Sequence, residues 1–393
     1  MAVKEQIPEL TGLRGLAALA VILNHFLLLL PQLNSTPAIH VLGPMGNIGM
    51  SLFFVLSGVV IYYNYYDRVV ASPARQATIF LVHRFARLYP LYFLFVIGCF
   101  IFYTLDTHSK DVVSSNIATL PMFLLGVQTW TYGFVGSREI LYWQENANIT
   151  WSISTELFFY FCFIFLAVFV YKKISKRVLL SIFIILCIRV VYLVLVLDDS
   201  FSSYIHRMYD GYNNGVLGSP DYYWLYFIYH SPYFRIFEFI AGCLIGKYIS
   251  TEKNVLFENN LTKIVLFLLA TSVAILIAKA CGIIHIFNIS ITYAEFACIP
   301  IFIIFFVFYC VVKKNKILRS KVFLFMGEVS YSSYLIHILV IDFIGRNFSN
   351  IYMRILLFVF ITYALSFVIW KYYEIPCKNK VKNFLLKECF NID

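Results

Sequence analysis

The chain has 393 residues, of which 61% are hydrophobic and only 13% are charged, and its mean hydropathy is +0.79. A soluble domain of average composition carries about twice that charged fraction. Apolar runs long enough to cross a bilayer as helices of about 20 residues recur along almost the whole chain. The composition excludes a water-soluble globular protein and predicts an all-α polytopic integral membrane protein.

Ten transmembrane helices are predicted from the apolar runs. The first run lacks a convincing small-x-small cleavage site, so we expect it to be retained. A further apolar segment, 116–130, is short and contains Pro121, which favours a re-entrant or surface-lying part of an outer loop over a span. The predicted spans are 13–31, 48–66, 85–105, 150–171, 178–197, 224–246, 262–281, 291–312, 322–345 and 352–371.

The net charge of +10 is distributed asymmetrically across these spans. Lys and Arg number 23 in the segments on the N-terminal side of the membrane and 6 in the opposite segments, which places both termini in the cytoplasm by the positive-inside rule. We therefore expect one membrane domain over 1–393 and no nucleic-acid partner. The main segments that we expect outside the bilayer are a cytoplasmic N-terminus (1–12), larger periplasmic loops (105–149 and 198–223) and a basic cytoplasmic tail (372–393).

The nine cysteines fall mostly within the spans and form no CxxC pair. They are interpreted as small apolar packing residues, without an indication of a disulfide or a metal site.

The first span carries two ionisable residues eleven positions apart, Arg14 and His25. Eleven helical steps of roughly 100° return almost to the same azimuth, about 16 Å further along the axis. Ionisable groups at membrane depth are costly and usually mark function, and imidazole is the side chain best suited to proton transfer near neutral pH. His25 is a candidate general base; the alternative is a packing histidine bonded to a neighbouring helix.

Two arginines stand at the cytoplasmic mouth of the third span, Arg84 and Arg87. Their spacing of three residues places them on one helix face, and paired guanidinium groups suit phosphate or diphosphate. The alternative is an ordinary anchor whose arginines reach the lipid head groups.

Glu156 lies six residues into the fourth span, about 9 Å deep. His25 lies at a matching predicted depth in the first span, so the two side chains are candidates for a base and the carboxylate that orients it. Ser152 precedes Glu156 by one turn on the same face. A structural glutamate bonded to a neighbouring helix is the alternative.

The ninth span carries a polar stripe of Ser330, Tyr334 and His337, spaced four and three residues apart. Such a stripe either lines a substrate tunnel or bonds neighbouring helices together. In the sixth span, Arg235 and Glu238 are spaced for a close ion pair and precede the packing motif 242–246, GxxxG. In the second span, Ser57 is followed by a glycine that allows a neighbour to approach closely.

Taken together, these segments resemble the acyltransferase-3 family of membrane O-acyltransferases. The ordered set spans nearly the whole chain and consists of Glu9-Leu-Thr-Gly-Leu-Arg-Gly with His25, Phe54-Val-Leu-Ser-Gly58, Arg84-x-x-Arg87-Leu-Tyr-Pro90, Trp151-Ser-Ile-Ser-Thr-Glu156, Arg235-Ile-Phe-Glu-Phe-Ile-Ala-Gly242, Ser330-Tyr-Ser-x-Tyr-Leu-x-His337 and Glu374-x-Pro376. Many relatives have a second acidic residue next to the position of Glu156, where this chain has Leu157.

The resemblance implies a bacterial inner-membrane enzyme that moves an acyl group, most simply acetyl, from cytoplasmic acyl-CoA to a hydroxyl of a cell-surface or lipid-linked glycan. Acyl-CoA would be a co-substrate, with no permanently bound cofactor. The resemblance is to the stand-alone form without an SGNH domain, with glycan-assembly proteins as candidate partners. The implied roles are general base and orienting carboxylate for His25 and Glu156, binding of the CoA phosphates by Arg14, Arg84 and Arg87, and substrate contacts by Ser57, Arg235, Ser330, Tyr331, Tyr334 and His337.

Two other classes remain open at this point. A transporter or flippase for a glycolipid or small solute explains the intramembrane charges, although the halves show no repeat. A purely structural subunit of a polysaccharide assembly complex would tolerate replacement of His25.

Overall fold

The structure is a computed structural model and describes residues 6–36, 39–106, 110–130, 147–171, 178–197, 226–251 and 291–390. The regular structure in these ranges is helical, which confirms the all-α class. The α-helices are α1 Pro8–Phe26, α2 Ile39–Leu42, α3 Met45–Ala71, α4 Pro73–Asp106, α5 Lys110–Leu125, α6 Trp151–Phe165, α7 Val178–Leu197, α8 Pro232–Thr251, α9 Ile291–Val312, α10 Lys321–Glu328, α11 Ser330–Asn347, α12 Ile351–Ile369 and α13 Ile375–Phe390.

Five of the described helical segments are long and apolar enough to cross a membrane: Pro8–Leu29, Met45–Ala71, Pro73–Phe102, Trp151–Val170 and Ile351–Phe390. The pair α10 and α11 makes a sixth if it is counted as one broken span. Helices α7 and α9 match the predicted spans 178–197 and 291–312. In the predicted span 224–246, a π-helical turn at Tyr226–His230 precedes α8, which begins at Pro232 and continues to Thr251. The predicted span 262–281 and the predicted loop 198–223 lie outside the described residues.

The chain divides into two compact units. Unit 1 comprises Met1–Tyr66, Ile174–Leu193 and Arg235–Ser330, and unit 2 comprises Asp67–Lys173, Val194–Phe234 and Tyr331–Asp393. Each unit is built from segments that are distant in sequence, so the candidate residues fall into two groups.

In unit 1, α1 packs most extensively against α10 because glycines bring their backbones together. A Cβ built on Gly12 would lie 2.1 Å from the carbonyl oxygen of Leu318, and one on Gly327 would lie 1.9 Å from that of Thr11. No side chain fits such gaps, so these positions require glycine.

Helices α3 and α8 of unit 1 pack by the same means. A Cβ on Gly58 would lie 2.1 Å from the carbonyl oxygen of Phe239, and one on Gly242 would lie 2.1 Å from that of Val55. The close approach predicted at Gly58 and the packing role of the GxxxG motif are therefore confirmed.

In unit 2, α4 packs along α13 and receives the end of α5. The Tyr89 hydroxyl donates to the Leu124 carbonyl at 2.9 Å, and the Tyr92 hydroxyl donates to the Phe123 carbonyl. Both tyrosines thus bond carbonyls in the last turn of α5, where the Phe123 carbonyl also accepts from the Gly126 N–H at 3.0 Å. Gly126 then turns the chain with φ +68°. The apolar part of α5, Asn116–Leu125, is too short to span a membrane, in agreement with the prediction that 116–130 is not a span.

Two predicted spans differ in detail from the observed helices. The first span was predicted to end at residue 31, but α1 ends at Phe26 and a 3₁₀ turn follows to Leu29. Pro31 cannot donate a backbone hydrogen bond and restricts Leu30, so the α-helix stops short. His25 therefore occupies the last turn of α1. The ninth span, predicted as continuous over 322–345, is interrupted at Val329.

Candidate functional site

Arg14 and Ser330 are brought together in unit 1. The guanidinium of Arg14 donates to Ser330 Oγ at 3.0 Å, and Ser330 Oγ donates to the Gly327 carbonyl at 2.7 Å. The close packing of α1 on α10 explains this contact between residues 316 positions apart. The packing of α1 on α10 thus brings together Arg14, a predicted donor-binding residue, and Ser330, a predicted substrate contact.

His25 is half-buried in the last turn of α1, and its imidazole bonds the carbonyl of Val21 one turn earlier. The neighbouring Asn24 donates to the carbonyls of Leu42 and Gly43 at 3.2 and 2.8 Å. This amide fixes the end of α1 against the turn that leads into α3. Because one α-helix carries both Arg14 and His25, their predicted alignment on one face holds.

A buried charge network surrounds Arg235 in unit 1. Arg235 Nη1 lies 2.8 Å from Glu238 Oε1, which confirms the predicted ion pair. A second arginine, Arg189, lies 3.5 Å from the same oxygen. Asn47 accepts from Arg235 Nη2 at 3.2 Å, and the Arg235 guanidinium also lies over the Phe54 ring. The three charged side chains are at most 1% exposed.

Burial of two cations with one carboxylate is favourable only when hydrogen bonds and opposite charge compensate for lost hydration. In this network the described partners hold Arg235 from several directions, so its side chain is fixed. Ser57, the other predicted substrate contact on α3, is half-buried and stands beside Gly58, where α8 approaches most closely.

In unit 2, Glu156 lies in a cluster of aromatic and cationic side chains. The Tyr160 hydroxyl donates to Glu156 Oε1 at 2.6 Å. Tyr160 is buried, and the Arg84 guanidinium lies 5.8 Å from the centre of its ring. Arg87 lies within electrostatic range of the same hydroxyl. The carboxylate is therefore anchored at one oxygen beside two cations.

Arg84 is more deeply buried than its predicted position at the cytoplasmic mouth of the third span suggests. It is only 6% exposed, and its guanidinium lies over the rings of Phe80 and Tyr160, 5.7 and 5.8 Å from their centres. Guanidinium groups over aromatic faces gain cation–π attraction. Arg87, one turn later, is half-buried. The two arginines share a helix face as predicted, and Arg87 is the more accessible of them.

The polar residues of α11 in unit 2 make specific contacts. The Tyr334 hydroxyl donates to the Ile149 carbonyl at 2.7 Å and lies 2.7 Å from Ser152 Oγ. The Tyr331 hydroxyl donates to the Leu88 carbonyl at 2.6 Å. Because Ser152 and Glu156 are one turn apart on α6, the Tyr334 contact brings α11 onto the face of α6 that carries the predicted orienting carboxylate.

His337 is fully buried, and its Nδ1 lies 3.2 Å from the Ser333 carbonyl one turn earlier. Its ring lies 5.9 Å from that of Tyr334. Ser332, on another face of α11, donates to Glu374 at 2.6 Å, which ties α11 to the Glu374-x-Pro376 segment.

A sequence profile of the acyltransferase-3 family, described as an acyltransferase domain, matches residues 7–371. The chain belongs to the acyltransferase-3 family. A curated relative named Acyltransferase MdmB, from Streptomyces mycarofaciens, is 32% identical over 162 residues. That match covers 40% of this chain and 38% of the relative. No solved structure matches the chain.

The family motifs therefore divide between the two units. Arg14, His25, Ser57, Arg235 and Ser330 belong to unit 1, and the arginine pair of α4, Glu156, Tyr331, Tyr334 and His337 belong to unit 2. Within unit 2 the cluster around Glu156 is assembled from three helices. The pairing of His25 with Glu156 joins residues of different units and stays a prediction.

Sequence reasoning missed three contacts of this acyltransferase-3 chain. Tyr160 follows Glu156 by four residues, a spacing that places both on one helix face and signals the bond. Arg189 lies within the predicted fifth span, but its partner Glu238 is 49 residues away along the chain, and no local spacing indicates the pair. Gln128 donates to the Thr150 carbonyl at 3.3 Å, and no local pattern indicates that contact.

Proposed function

We propose that this acyltransferase-3 protein transfers an acyl group, most simply acetyl, from cytoplasmic acyl-CoA to a hydroxyl of a cell-surface or lipid-linked glycan. The proposal places the protein in the inner membrane of a bacterium, with both termini cytoplasmic. Family membership supports acyl transfer across 7–371, and the candidate spans support a membrane location.

In this proposal His25 takes the proton of the acceptor hydroxyl as its oxygen attacks the thioester carbonyl. The carbon–sulfur bond then breaks, an ester remains on the acceptor, and the imidazolium returns the proton to the CoA thiolate. Glu156 orients the imidazole and stabilises its positive charge. A positioned general base typically contributes about 10²- to 10⁴-fold in rate.

The observation that carries the proposal is the anchored carboxylate of Glu156. Its Oε1 accepts a hydrogen bond from the Tyr160 hydroxyl at 2.6 Å. Ser152, one turn before Glu156 on the same face of α6, lies 2.7 Å from the Tyr334 hydroxyl of α11. A carboxylate that served only to hold helices together would need no such convergence of family-motif residues from α4, α6 and α11.

Arg14, Arg84 and Arg87 are proposed to bind the phosphates of acyl-CoA. Arg87 suits direct phosphate contact because it is half-buried, whereas the stacked guanidinium of Arg84 suits a supporting charge. Arg235, Ser57, Ser330, Tyr331, Tyr334 and His337 are proposed to line the path of the substrates, with glycan-assembly proteins as candidate partners.

Purified protein with labelled acetyl-CoA tests this function. Wild type should consume acetyl-CoA in the presence of host glycan and form a base-labile ester, and His25→Gln should lower turnover by at least about 10²-fold. His83→Gln is the matched control, since it changes a half-buried histidine of α4. Failure of the wild type to consume acyl-CoA, with transport of a glycolipid instead, would support the transporter alternative.

A further inference from the structure

Unit 2 contains an apolar groove between α4 and α11 that the proposed reaction does not use. Its volume is about 600 Å³, and it is lined by Leu91, Phe95, Gly98 and Phe102 of α4 and by Leu335 and Leu339 of α11, among others. Leu94, Phe102 and Phe343 along its edges are about half exposed. In a membrane these edges open sideways to the lipid.

The two ends of the groove differ in chemistry. At one end, Leu91 and Leu335 lie one turn beyond the hydrogen bond from Tyr331 to the Leu88 carbonyl. At the other end, Arg346 pairs with Asp342 at 2.9 Å. The groove is therefore closed and apolar near the tyrosines and polar where α11 ends.

A second cation lies at the polar end. Arg354, in the first turn of α12, donates to the Phe348 and Gly345 carbonyls at 2.6 and 3.2 Å. Its guanidinium is therefore held over the loop that follows α11, next to Arg346. Asp342 offsets Arg346 within the lining, and Arg354, just outside the lining on the Gly345 carbonyl, adds one further positive charge at this end. Arginines at the end of a spanning helix lie at head-group level.

The length of the groove fits a lipid chain from one leaflet. Leu335 and Arg346 are eleven residues apart on α11, which is about 16 Å along the helix axis. The hydrocarbon core of a bilayer is about 30 Å thick, so one leaflet is about half of that. We propose that this groove is a binding site for a phosphate-bearing anionic lipid, with its hydrocarbon chain between α4 and α11 and its phosphate at Arg346 and Arg354.

The direction of the polar groups distinguishes this occupant from the acyl chain of the donor. A donor chain reaching in from Glu156 would place its apolar tip against the Arg346–Asp342 pair. An amphiphile with its head at Arg346 instead places its hydrocarbon chain along the apolar walls and its anionic phosphate beside the arginine. The proposal does not depend on which acyl group or acceptor the enzyme uses.

Gly98 allows a direct test because a Cβ built there meets no atom within 4 Å. Gly98→Phe fills the groove without displacing backbone, and Ile101→Phe, at an exposed site of α4 outside the lining, is its matched control. Arg346→Gln removes the charge at the polar end. Its control is Lys371→Gln, an exposed cation about 25 Å from Arg354 along the continuous helix.

The experiment uses full-length protein in phosphatidylcholine nanodiscs with a trace of phosphatidylglycerol that carries a diazirine in one chain. After irradiation, cross-linked peptides are mapped by mass spectrometry. We expect cross-links to α4 and α11, reduced to background by Gly98→Phe and about fivefold by Arg346→Gln, and unchanged in both controls. A diazirine-bearing phosphatidylcholine should give much weaker cross-links at the same positions.

Equal labelling by the two lipids, or labelling that survives Gly98→Phe, would overturn the proposal by showing ordinary boundary lipid. Acyl-CoA chain-length profiles supply a further check. If Gly98→Phe selectively abolished the use of long acyl-CoA while lipid cross-linking stayed intact, the groove would belong to the donor chain and the proposal would be wrong.

Discussion

Tyr160 donates a hydrogen bond of 2.6 Å to Glu156 Oε1, one turn earlier on α6. The bond holds one oxygen of the carboxylate in a fixed direction. It also joins Glu156 to the face of α4 that carries Arg84, because the Arg84 guanidinium stacks on the Tyr160 ring. The proposed orienting carboxylate is therefore positioned by a residue outside the predicted set.

Replacement of Tyr160 by Phe should lower acyl transfer without unfolding the protein. A hydrogen bond to a charged group is worth about 1.5–3 kcal/mol, so kcat/KM should fall roughly 10- to 100-fold. Tyr233→Phe is the control, since the Tyr233 hydroxyl donates to the Trp130 carbonyl and not to Glu156. Full activity of Tyr160→Phe in a folded protein would remove Tyr160 from the positioning role.

Replacement of Gly12 by Ala should push α1 away from the turn that precedes α10. The added Cβ would lie 2.1 Å from the Leu318 carbonyl oxygen, and overpacking of this kind costs about 1–3 kcal/mol. The thermal transition in detergent should move to lower temperature. Gly98→Ala, where a Cβ meets open space, should leave it unchanged; equal transitions for both variants would contradict the close packing.

Removal of the Glu238 charge should destabilise the protein strongly. Glu238→Gln leaves the buried Arg189 and Arg235 without their shared carboxylate, and breaking such a buried pair costs about 3–5 kcal/mol. Asp342→Asn, which breaks a pair with the half-exposed Arg346, should cost no more than about 1 kcal/mol. Thermal unfolding of the two variants side by side measures the difference, and comparable shifts would be inconsistent with a buried network.

The Ser152 and Tyr334 hydroxyls should be energetically coupled. The Tyr334 hydroxyl donates to the Ile149 carbonyl at 2.7 Å, Ser152 Oγ donates to the same carbonyl at 3.2 Å, and the two hydroxyl oxygens lie 2.7 Å apart. Ser152→Ala, Tyr334→Phe and the double variant form a cycle, for which we expect a coupling of about 0.5–3 kcal/mol in thermal stability. Strictly additive effects would show that the contact contributes nothing.

Much of the fold could be predicted from sequence because apolar length and helical spacing are local properties. Each predicted span within the described residues contains helix, although the first and ninth differ in detail, and the Arg235–Glu238 pair follows from a spacing of three residues. The end of α1 was misplaced because apolar residues continue past Phe26, while Pro31 acts on the backbone before it. The break at Val329 was missed because apolar residues continue on both sides of it, although Gly327 and Ser330 are weak helix formers.

The site could be predicted only in its parts. Local spacing indicates which residues share a face, such as Tyr331 with Leu335, but not which helix faces them. The Tyr334–Ser152 contact joins residues 182 positions apart, and Arg14–Ser330 joins residues even further apart. Such contacts depend on glycines that set helix distances, and motif order does not encode those distances.

The central claim is that His25 and Glu156 act together in acyl transfer to a glycan hydroxyl. The most direct measurement is the ester-linked acyl content of the host's surface polysaccharide, by mass spectrometry and NMR before and after mild base. It compares a deletion strain with strains carrying wild type, His25→Ala, Glu156→Gln or His83→Gln, each verified in the membrane. The account predicts a base-labile acyl group with wild type and His83→Gln, and its loss with His25→Ala and Glu156→Gln. Full acylation by His25→Ala would contradict it.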